Sequence, residues 1–293
     1  MSQLANQTKI LYKNKIIETF IAFKNFCEAN KIKYIAAYGT ALGAIRHNDI
    51  IPWDDDIDVY MVIDDYEKFI NLKDKCKGSG YEIMDYHNKN YYLPFAKFIN
   101  TNTTLWEVLE YECVIGSFID IFPLFESDGN IENERIKSRK LNNQFYKYQQ
   151  SIKKHQLSTF INSLQGFKLK DCARWLMYKF IYKYNKDKFI KIYENHFNEY
   201  SKSKGNYLVS YFGGYAIEKE IFDKIDLKET ISMTFGETSI LVPNGYDKYL
   251  TKVFGNYMEY PPIEERVSLH NHYFLDLEKG YSIDEIKKII NGK

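Results

Sequence analysis

The spacing of apolar and polar residues predicts a chain that begins with a helix and continues with short strands and helices. Residues 8–29 place Ile10, Ile17 and Ile21 on one stripe, as an amphipathic helix does. Asp64 is expected to cap a second helix that runs to about Lys77, where Gly78-Ser79-Gly80 would end it. The predicted strands are residues 33–38, 58–63, 81–86, 95–100 and 117–122.

Residues 131–200 have a different pattern, since Gly166 is their one glycine and they contain no proline. They predict two long helices broken near 163–167. They hold fifteen Lys/Arg and six Asp/Glu, so their net charge of +9 leaves −8 for the rest of a chain that carries +1. Short strands and turns return after Gly205. We therefore predict an α/β (α+β) core from residues 1–130 and 206–293, with a basic helical insertion over 131–205.

Composition favours a well-packed intracellular protein. The 293 residues are 45% hydrophobic and 17% aromatic, which is ample for a core. The four cysteines are scattered without metal-ligand spacing and indicate reduced thiols. The N-terminus has no apolar signal core, and no apolar run approaches the ~18 residues that a membrane span needs. We expect a cytoplasmic protein, at most bound at the inner face of the plasma membrane.

The strongest chemical signal is a group of aspartates in IRHNDIIPWDDDIDVYM, residues 45–61. On a strand, Asp56 and Asp58 point to the same face with Cα atoms roughly 6–7 Å apart. Carboxylates this close repel one another unless a cation lies between them. Mg²⁺, with Mn²⁺ as an alternative, suits such oxygen ligands. We predict Asp56 and Asp58 as metal ligands, with Asp54 and Asp55 in capping, supporting or substrate-contacting roles.

Gly39 and Thr40 follow a predicted strand and precede a short helical segment at 41–46. Glycine permits the backbone to approach a phosphate closely, and a helix N-terminus offers free N–H groups to an anion. This arrangement predicts that Gly39 and Thr40 handle a phosphate group.

The stretch YGTALGAIRHNDIIPWDDDID, residues 38–58, resembles the signature of the LicD phosphotransferase family. That family includes bacterial phosphocholine transferases and is related to fukutin-type ribitol-phosphate transferases. Weaker similarity lies in FIDIFPL at 118–124, in 242–262, and in ERVSLH at 265–270. The resemblance implies a nucleotidyltransferase-like mixed sheet, and the middle of the chain does not take part in it.

The resemblance also implies roles for residues outside the aspartate run. Asp120, a lone acid in an apolar strand, would be a third metal ligand or the proton acceptor. Lys97 would contact phosphate, with a paired structural lysine as the alternative. Arg46 could clamp a diphosphate or instead pair with Asp54 or Asp55, and both could hold. His47, next to it, is a further substrate-binding candidate. Three further candidates are Arg266 and His270, which would close over the site, and Trp53, which with Trp106 could cage a quaternary ammonium.

The function implied is Mg²⁺-dependent transfer of phosphocholine from CDP-choline to a hydroxyl of a cell-surface glycan or teichoic-acid-type repeat, with release of CMP. CDP-ribitol, CDP-glycerol or a phosphoethanolamine donor would keep the same chemistry. The residues are also compatible with a nucleotidyltransferase that uses an NTP and with a non-catalytic binding module. The acceptor would be a glycan or lipid-linked oligosaccharide, and we expect no nucleic-acid partner. The basic insertion would dock the enzyme to that acceptor or to the membrane, unless its lysines serve only solubility.

Overall fold

The computed structural model describes residues 6–267 and 272–292 and shows a mixed α/β protein. The predicted α/β (α+β) class with a mixed sheet is confirmed. The elements up to residue 127 are α1 Asn6–Asn30, β1 Ile35–Ala36, α2 Tyr38–Arg46, β2 Asp58–Val62, α3 Ile63–Ile70, a 3₁₀ turn at Lys73–Cys76, β3 Tyr81–Met84, β4 Ala96–Trp106 and β5 Ile115–Ser127.

The helical insertion begins after β5. Its elements are α4 Ile131–Ile152, α5 Leu157–Gln165, α6 Leu169–Leu176, a π-helical segment Met177–Tyr182 and α7 Lys186–Tyr200. The predicted break near 163–167 is present, but the prediction of two long helices is wrong because the chain also leaves helical geometry at 153–156 and at Asn185. At the first of these, Lys153 is extended and the Lys154 N–H donates to the Glu110 carbonyl, 2.8 Å away, instead of continuing α4.

The elements after the insertion are β6 Tyr207–Val209, a 3₁₀ turn at Ile217–Lys219, β7 Ile221–Asp223, α8 Lys224–Lys228, β8 Thr230–Phe235, β9 Thr238–Pro243, α9 Tyr246–Phe254, a 3₁₀ turn at Ile263–Glu265, β10 Phe274–Asp276 and α10 Ile283–Asn291. Among the described residues, no helix combines the length and the apolar composition that crossing a membrane requires.

The main sheet has the order β1-β2-β5-β4-β10, with β3 also paired to β4 and with β6 and β7 extending from the end of β5. β2 and β5 are parallel and the other pairings are antiparallel. β8 and β9 form a separate hairpin. Because β5 pairs directly with β6 through Phe125 and Val209, the insertion leaves and re-enters the core at neighbouring strands. The domain bounds stay a prediction, since Tyr193 and Phe197 of α7 belong to the same hydrophobic core as β2 and β5.

Helix α1 covers one face of the sheet. Phe20 and Phe23 are fully buried against Tyr34, and Phe23 also contacts Phe98 of β4. Each such side chain contributes about 1.5–3 kcal/mol through burial. The Thr19 and Ser117 hydroxyls lie 2.6 Å apart and tie the helix to β5.

Two local predictions are wrong at the helices next to the site. The strand predicted at 33–38 shortens to β1 because Tyr38, with φ of 41°, turns the chain directly into α2. Gly39 and Thr40 therefore lie in the first helical turn and not before it. α3 starts at Ile63, so Asp64 lies inside its first turn and is not its cap, and the helix ends at Ile70. An acid in that turn still favours the helix dipole.

Candidate active site

Three carboxylates meet where β2, β5 and the loop before β2 come together. Asp58 and Asp120 are register partners on the parallel strands β2 and β5. Asp56 lies in the loop just before β2, not on the strand as predicted, because β2 begins only at Asp58. Each of the three still offers an oxygen within 4.8 Å of the others. We call Asp56, Asp58 and Asp120 the carboxylate cluster.

The electrostatics of the carboxylate cluster favour a bound cation. Burial raises the pKa of Asp58 well above its usual value, and the charges of Asp56 and Asp120 raise it further, while Lys97 lowers it. A Mg²⁺ ion with ligands at about 2.1 Å needs oxygens separated by about 3 Å in cis and about 4.2 Å in trans positions. Three hard oxygen donors within 4.8 Å fit that requirement after a small contraction. These residues therefore suit Mg²⁺ or Mn²⁺, and their role as ligands stays a prediction.

Lys97 of β4 completes the row across the sheet as the register partner of Asp120. Its Nζ lies 2.6 Å from Asp120 Oδ1, and the side chains are 3% and 9% exposed. The ammonium also lies 3.2 Å from the centre of the Phe118 ring. Burial alone would lower the pKa of Lys97. The negative charges of Asp120 and Glu107 have the larger effect and raise that pKa, so the ammonium stays charged. The structure thus shows a paired lysine, the second of the two roles that the sequence allows, and phosphate contact stays a prediction.

The start of α2 holds the carboxylate cluster in place. Asp58 N–H donates to Thr40 Oγ1 at 2.7 Å, which fixes where β2 begins. Tyr38 N–H donates to the Tyr249 hydroxyl, also at 2.7 Å. A Cβ at Gly39 would lie 2.7 Å from Asp54 Oδ2, so only glycine lets the Asp54 carboxylate approach this helix end so closely. A phosphate handled by Gly39 and Thr40, as predicted, would share this end with Asp54.

Two arginines and a histidine surround the rings of Trp53 and Tyr260, and we call Arg46, His47, Trp53, Tyr260 and Arg266 the arginine–aromatic cluster. The guanidinium carbon of Arg46 lies 4.7 Å from the centre of the Tyr260 ring. The guanidinium carbon of Arg266 lies 5.4 Å from the centre of the Trp53 ring. The His47 ring lies 5.9 Å from Trp53 and 5.5 Å from Tyr260. Burial and then the Arg46 charge lower the pKa of His47, which favours a neutral imidazole.

Hydrogen bonds to the backbone hold both arginines of this cluster. Arg46 Nη1 donates to the carbonyls of Tyr257 at 2.7 Å and Glu259 at 3.0 Å. Arg266 Nε donates to the Pro261 carbonyl at 2.9 Å. The structure thus brings Arg46, His47, Trp53 and Arg266 together, as two cations with remaining N–H groups for an anion.

A cage formed by Trp53 and Trp106 stays a prediction, and the structure shows different partners for the two indoles. Trp53 packs within the arginine–aromatic cluster. Trp106 is buried at the end of β4, where its Nε1 donates to the Val108 and Tyr111 carbonyls and its ring packs on Tyr273. Trp106 has these partners because it lies on β4 opposite Phe274 of β10.

Sequence reasoning missed two residues beside the carboxylate cluster. His272 Nε2 lies 3.7 Å from Asp55 Oδ2, and the imidazole is 8% exposed. Neither of its nitrogens has a hydrogen-bond partner among the residues that the structure describes. Its ring packs edge-on against Tyr12 of α1, at 5.3 Å between centres. Burial, followed by the charge of Asp55, raises the pKa of Tyr12, so the phenol stays neutral.

Both of these residues carry only weak signals along the chain. His272 comes two residues after the predicted His270, which lies outside the described residues. Tyr12 falls within a helix whose sequence indicates only an apolar stripe. Glu107 is a third residue that was missed. Its charge helps to raise the pKa of Lys97, and it accepts a hydrogen bond from the Tyr92 hydroxyl at 2.9 Å.

Comparison with known proteins identifies the family of this chain. The family described as "LicD/FKTN/FKRP, nucleotidyltransferase domain" matches residues 31–160. The lipopolysaccharide cholinephosphotransferase LicD of Haemophilus influenzae is 30% identical over 265 residues, which cover 85% of this chain and 90% of that protein. An uncharacterized protein of Rickettsia typhi is 45% identical over 62 residues, 21% of this chain and 19% of its own. The chain that carries this carboxylate cluster belongs to the LicD family.

Proposed function

We propose that this protein transfers a phospho-head group, specifically phosphocholine from CDP-choline, to a hydroxyl of a cell-surface glycan or teichoic-acid-type repeat and releases CMP. The observation that carries the proposal is the convergence of Asp56, Asp58 and Asp120 on one oxygen-rich point. The relative from Haemophilus influenzae, named as a lipopolysaccharide cholinephosphotransferase, supports the choice of head group and the glycan class of acceptor.

In this mechanism the acceptor hydroxyl attacks the phosphorus that bears choline. A new oxygen–phosphorus bond forms while the bond from that phosphorus to the oxygen of CMP breaks. The hydroxyl proton passes to a carboxylate of the cluster, for which Asp120 is our candidate. Asp56, Asp58 and Asp120 would hold Mg²⁺, or Mn²⁺ in its place. When bound, the ion neutralises charge on the diphosphate and supports the departure of CMP.

The other residues would position the donor. Arg46 and Arg266 of the arginine–aromatic cluster would bind diphosphate oxygens. The first turn of α2 would bind phosphate through its backbone. Lys97 would keep Asp120 ionised until the donor enters. Catalysis would then come mainly from positioning and from charge placed before the reaction begins.

The test incubates the purified protein with Mg²⁺, a glycan acceptor and each of CDP-choline, CDP-ribitol, CDP-glycerol, CDP-ethanolamine and CTP. We expect CMP and a choline-phosphate-modified glycan with CDP-choline, and loss of both products when the divalent ion is chelated. CMP from another CDP donor would change the head group only. Pyrophosphate from CTP would favour an NTP-dependent nucleotidyltransferase, and no product with any donor would favour a binding module.

Two matched variants separate loss of the cluster from loss of the fold. Asp58→Asn should remove most turnover, by several kcal/mol of transition-state stabilisation, because one ligand of a catalytic ion is lost. Asp64→Asn makes the same change at an exposed position in α3 and should leave turnover unchanged. Full activity of Asp58→Asn at saturating Mg²⁺ would contradict the metal assignment.

A further inference from the structure

The outer end of the insertion exposes large apolar side chains to solvent. Phe167 is 89% exposed, Leu169 72%, Phe180 63% and Tyr184 92%. We call residues 157–184, which comprise α5, α6 and the π-helical segment, the docking hairpin. Large apolar side chains that are scattered singly over a surface need no explanation, whereas several exposed within one segment indicate an interaction site.

The exposed residues follow helical spacing. Leu157, Ile161 and Leu164 form one stripe along α5. Leu169, Leu176 and Phe180 form another along α6 and its π-helical continuation. A helix on a globular protein normally turns such a stripe toward the core. Here both stripes remain outside, and the loop that joins the two helices adds Phe167.

The inner contacts of the docking hairpin are already satisfied. Trp175 packs on Phe160 with ring centres 4.9 Å apart, and its Nε1 donates to the Gln156 carbonyl at 3.0 Å. Cys172 of α6 is buried. The outward stripes are therefore not needed to hold the hairpin together, so the fold alone does not account for them.

Positive charge flanks the apolar stripes. The docking hairpin contains one acidic residue, Asp171, against five basic ones, and two of these, Lys168 and Lys170, flank Leu169. The basic residues are Lys168, Lys170, Arg174, Lys179 and Lys183. Aromatic and aliphatic side chains bordered by lysines suit the boundary between lipid headgroups and acyl chains. The buried centre of a protein–protein interface is instead depleted in lysine.

Some basic residues in the rest of the insertion are paired with acids. In α4, Lys137 pairs with Glu134, and in the loop after α4 Lys153 and Lys154 pair with Glu110 and Glu112. Within the docking hairpin, Arg174 pairs with Asp171 at 3.5 Å. With five basic residues against one acid, the docking hairpin carries a net charge of +4 in the same segment as its exposed apolar side chains.

We propose that the docking hairpin binds the surface of an anionic lipid bilayer. Phe167, Leu169 and Phe180 enter the interface, and the neighbouring lysines contact anionic headgroups. Binding of this kind holds the enzyme at a membrane without a spanning helix. The proposal is independent of the group that the active site transfers, because the docking hairpin shares no residue with the carboxylate cluster.

The test is sedimentation of the full-length protein with vesicles of phosphatidylcholine alone or mixed with phosphatidylglycerol. We expect binding to the mixed vesicles at low salt, weaker binding as salt rises, and little binding to phosphatidylcholine alone. Phe167→Asn combined with Phe180→Gln should weaken binding at least about tenfold because two interfacial aromatics are lost. Asn is chosen for residue 167 because Phe167 has a φ of 54°, and Asn adopts positive φ more readily than most residues do.

Ile225→Gln is the matched control, since Ile225 is 70% exposed on the short helix α8 and lies outside the docking hairpin. It should bind vesicles as the wild type does. All variants should unfold at the wild-type temperature, because the replaced side chains are exposed. Failure of the wild type to bind anionic vesicles, or unchanged binding by the double variant, would overturn the proposal. So would a concentration-dependent dimer that the double variant abolishes, since the surface would then join two copies of this chain.

Discussion

Replacement of Lys97 by methionine tests the electrostatics of the carboxylate cluster directly. Lys97 and Asp120 form a buried pair at 2.6 Å, with 3% and 9% of their side chains exposed. Removal of one partner from a buried pair typically costs 3–5 kcal/mol because the other charge is left uncompensated. Methionine is an unbranched side chain one heavy atom shorter than lysine, and its sulfur can keep a favourable contact with the Phe118 ring. The free energy of unfolding should therefore fall by about 3–5 kcal/mol, and the fall should come mainly from the lost charge.

Mg²⁺ should then recover part of this loss. Lys97 and a cation among Asp56, Asp58 and Asp120 would repel each other, and two unit charges 4 Å apart interact by about 4 kcal/mol at an effective dielectric constant of 20. Without Lys97 the ion should bind more tightly, and a ligand that binds only the folded state stabilises it through that affinity. Urea unfolding with and without Mg²⁺ should show a larger increase in stability for Lys97→Met than for the wild type.

Lys73→Met provides the control for this measurement. Lys73 pairs with Asp85, whose side chain is 1% exposed, and its Nζ also donates to Asn88 Oδ1 at 3.1 Å, so neither partner belongs to the carboxylate cluster. This variant should also lose stability, but Mg²⁺ should stabilise it no more than it does the wild type. An equal Mg²⁺ effect in Lys97→Met and the wild type would refute our reasoning about the ion. A Lys97→Met protein as stable as the wild type without Mg²⁺ would refute the importance of the pair.

Three further outcomes are expected. Asp120→Asn should lower kcat far more than it raises the donor KM, because the group acts mainly in the transition state, and a change in KM alone in steady-state assays would make it a donor-binding residue. Gly39→Ala should displace Asp54, whose Oδ2 would lie 2.7 Å from the new Cβ. Overpacking of about 1–3 kcal/mol should exceed the ~1 kcal/mol gained in helix propensity, and unchanged urea stability would contradict this. Glu220 has its pKa raised by burial from 4.5 to about 7, although it accepts a hydrogen bond from the Tyr38 hydroxyl. The folded state thus holds this proton longer than the unfolded state, so stability should fall as the pH rises from about 4.5 to about 7, on the order of 3 kcal/mol. Glu220→Gln should remove that slope in unfolding measurements across this pH range, and a slope equal to that of the wild type would contradict the assignment.

Local patterns are sufficient to predict the parts of the site that are close in sequence. Asp56 and Asp58 can be recognised because four acids within five positions repel one another unless a cation lies among them. Gly39 and Thr40 can be recognised because they lie between a predicted strand and a short helical segment, and Thr40 does contact the start of β2. Asp120 is recognisable as a lone acid in an apolar run, but its place beside Asp58 depends on resemblance, since no local rule gives the pairing of β2 with β5.

Contacts between distant segments account for most of what was missed. Tyr12 and His272 come from the two ends of the chain and meet at the site. With 26 Tyr and 20 Phe in the sequence, no single aromatic residue indicates a site by its type. The residue pattern predicts only residues 117–122 of β5, although the strand runs from Ile115 to Ser127 and is buried throughout. A strand covered on both faces has no alternation of polar and apolar positions, so its ends are hard to define from sequence.

The register between β2 and β5 decides whether the site exists. A slip of one residue would turn Asp58 to the opposite face of the sheet, away from Asp120. One contact at the start of β2 supports this register, since Asp120 N–H donates to the Ile57 carbonyl at 2.9 Å. Asp58 N–H donates to Thr40 of α2, which holds the same end of β2 in place. Both contacts lie where β2 begins, whereas the insertion that contains the docking hairpin leaves and re-enters the sheet at the far end of β5. Changes in the docking hairpin can therefore alter where the protein binds without moving the carboxylates, which is why its effects can be measured separately from catalysis.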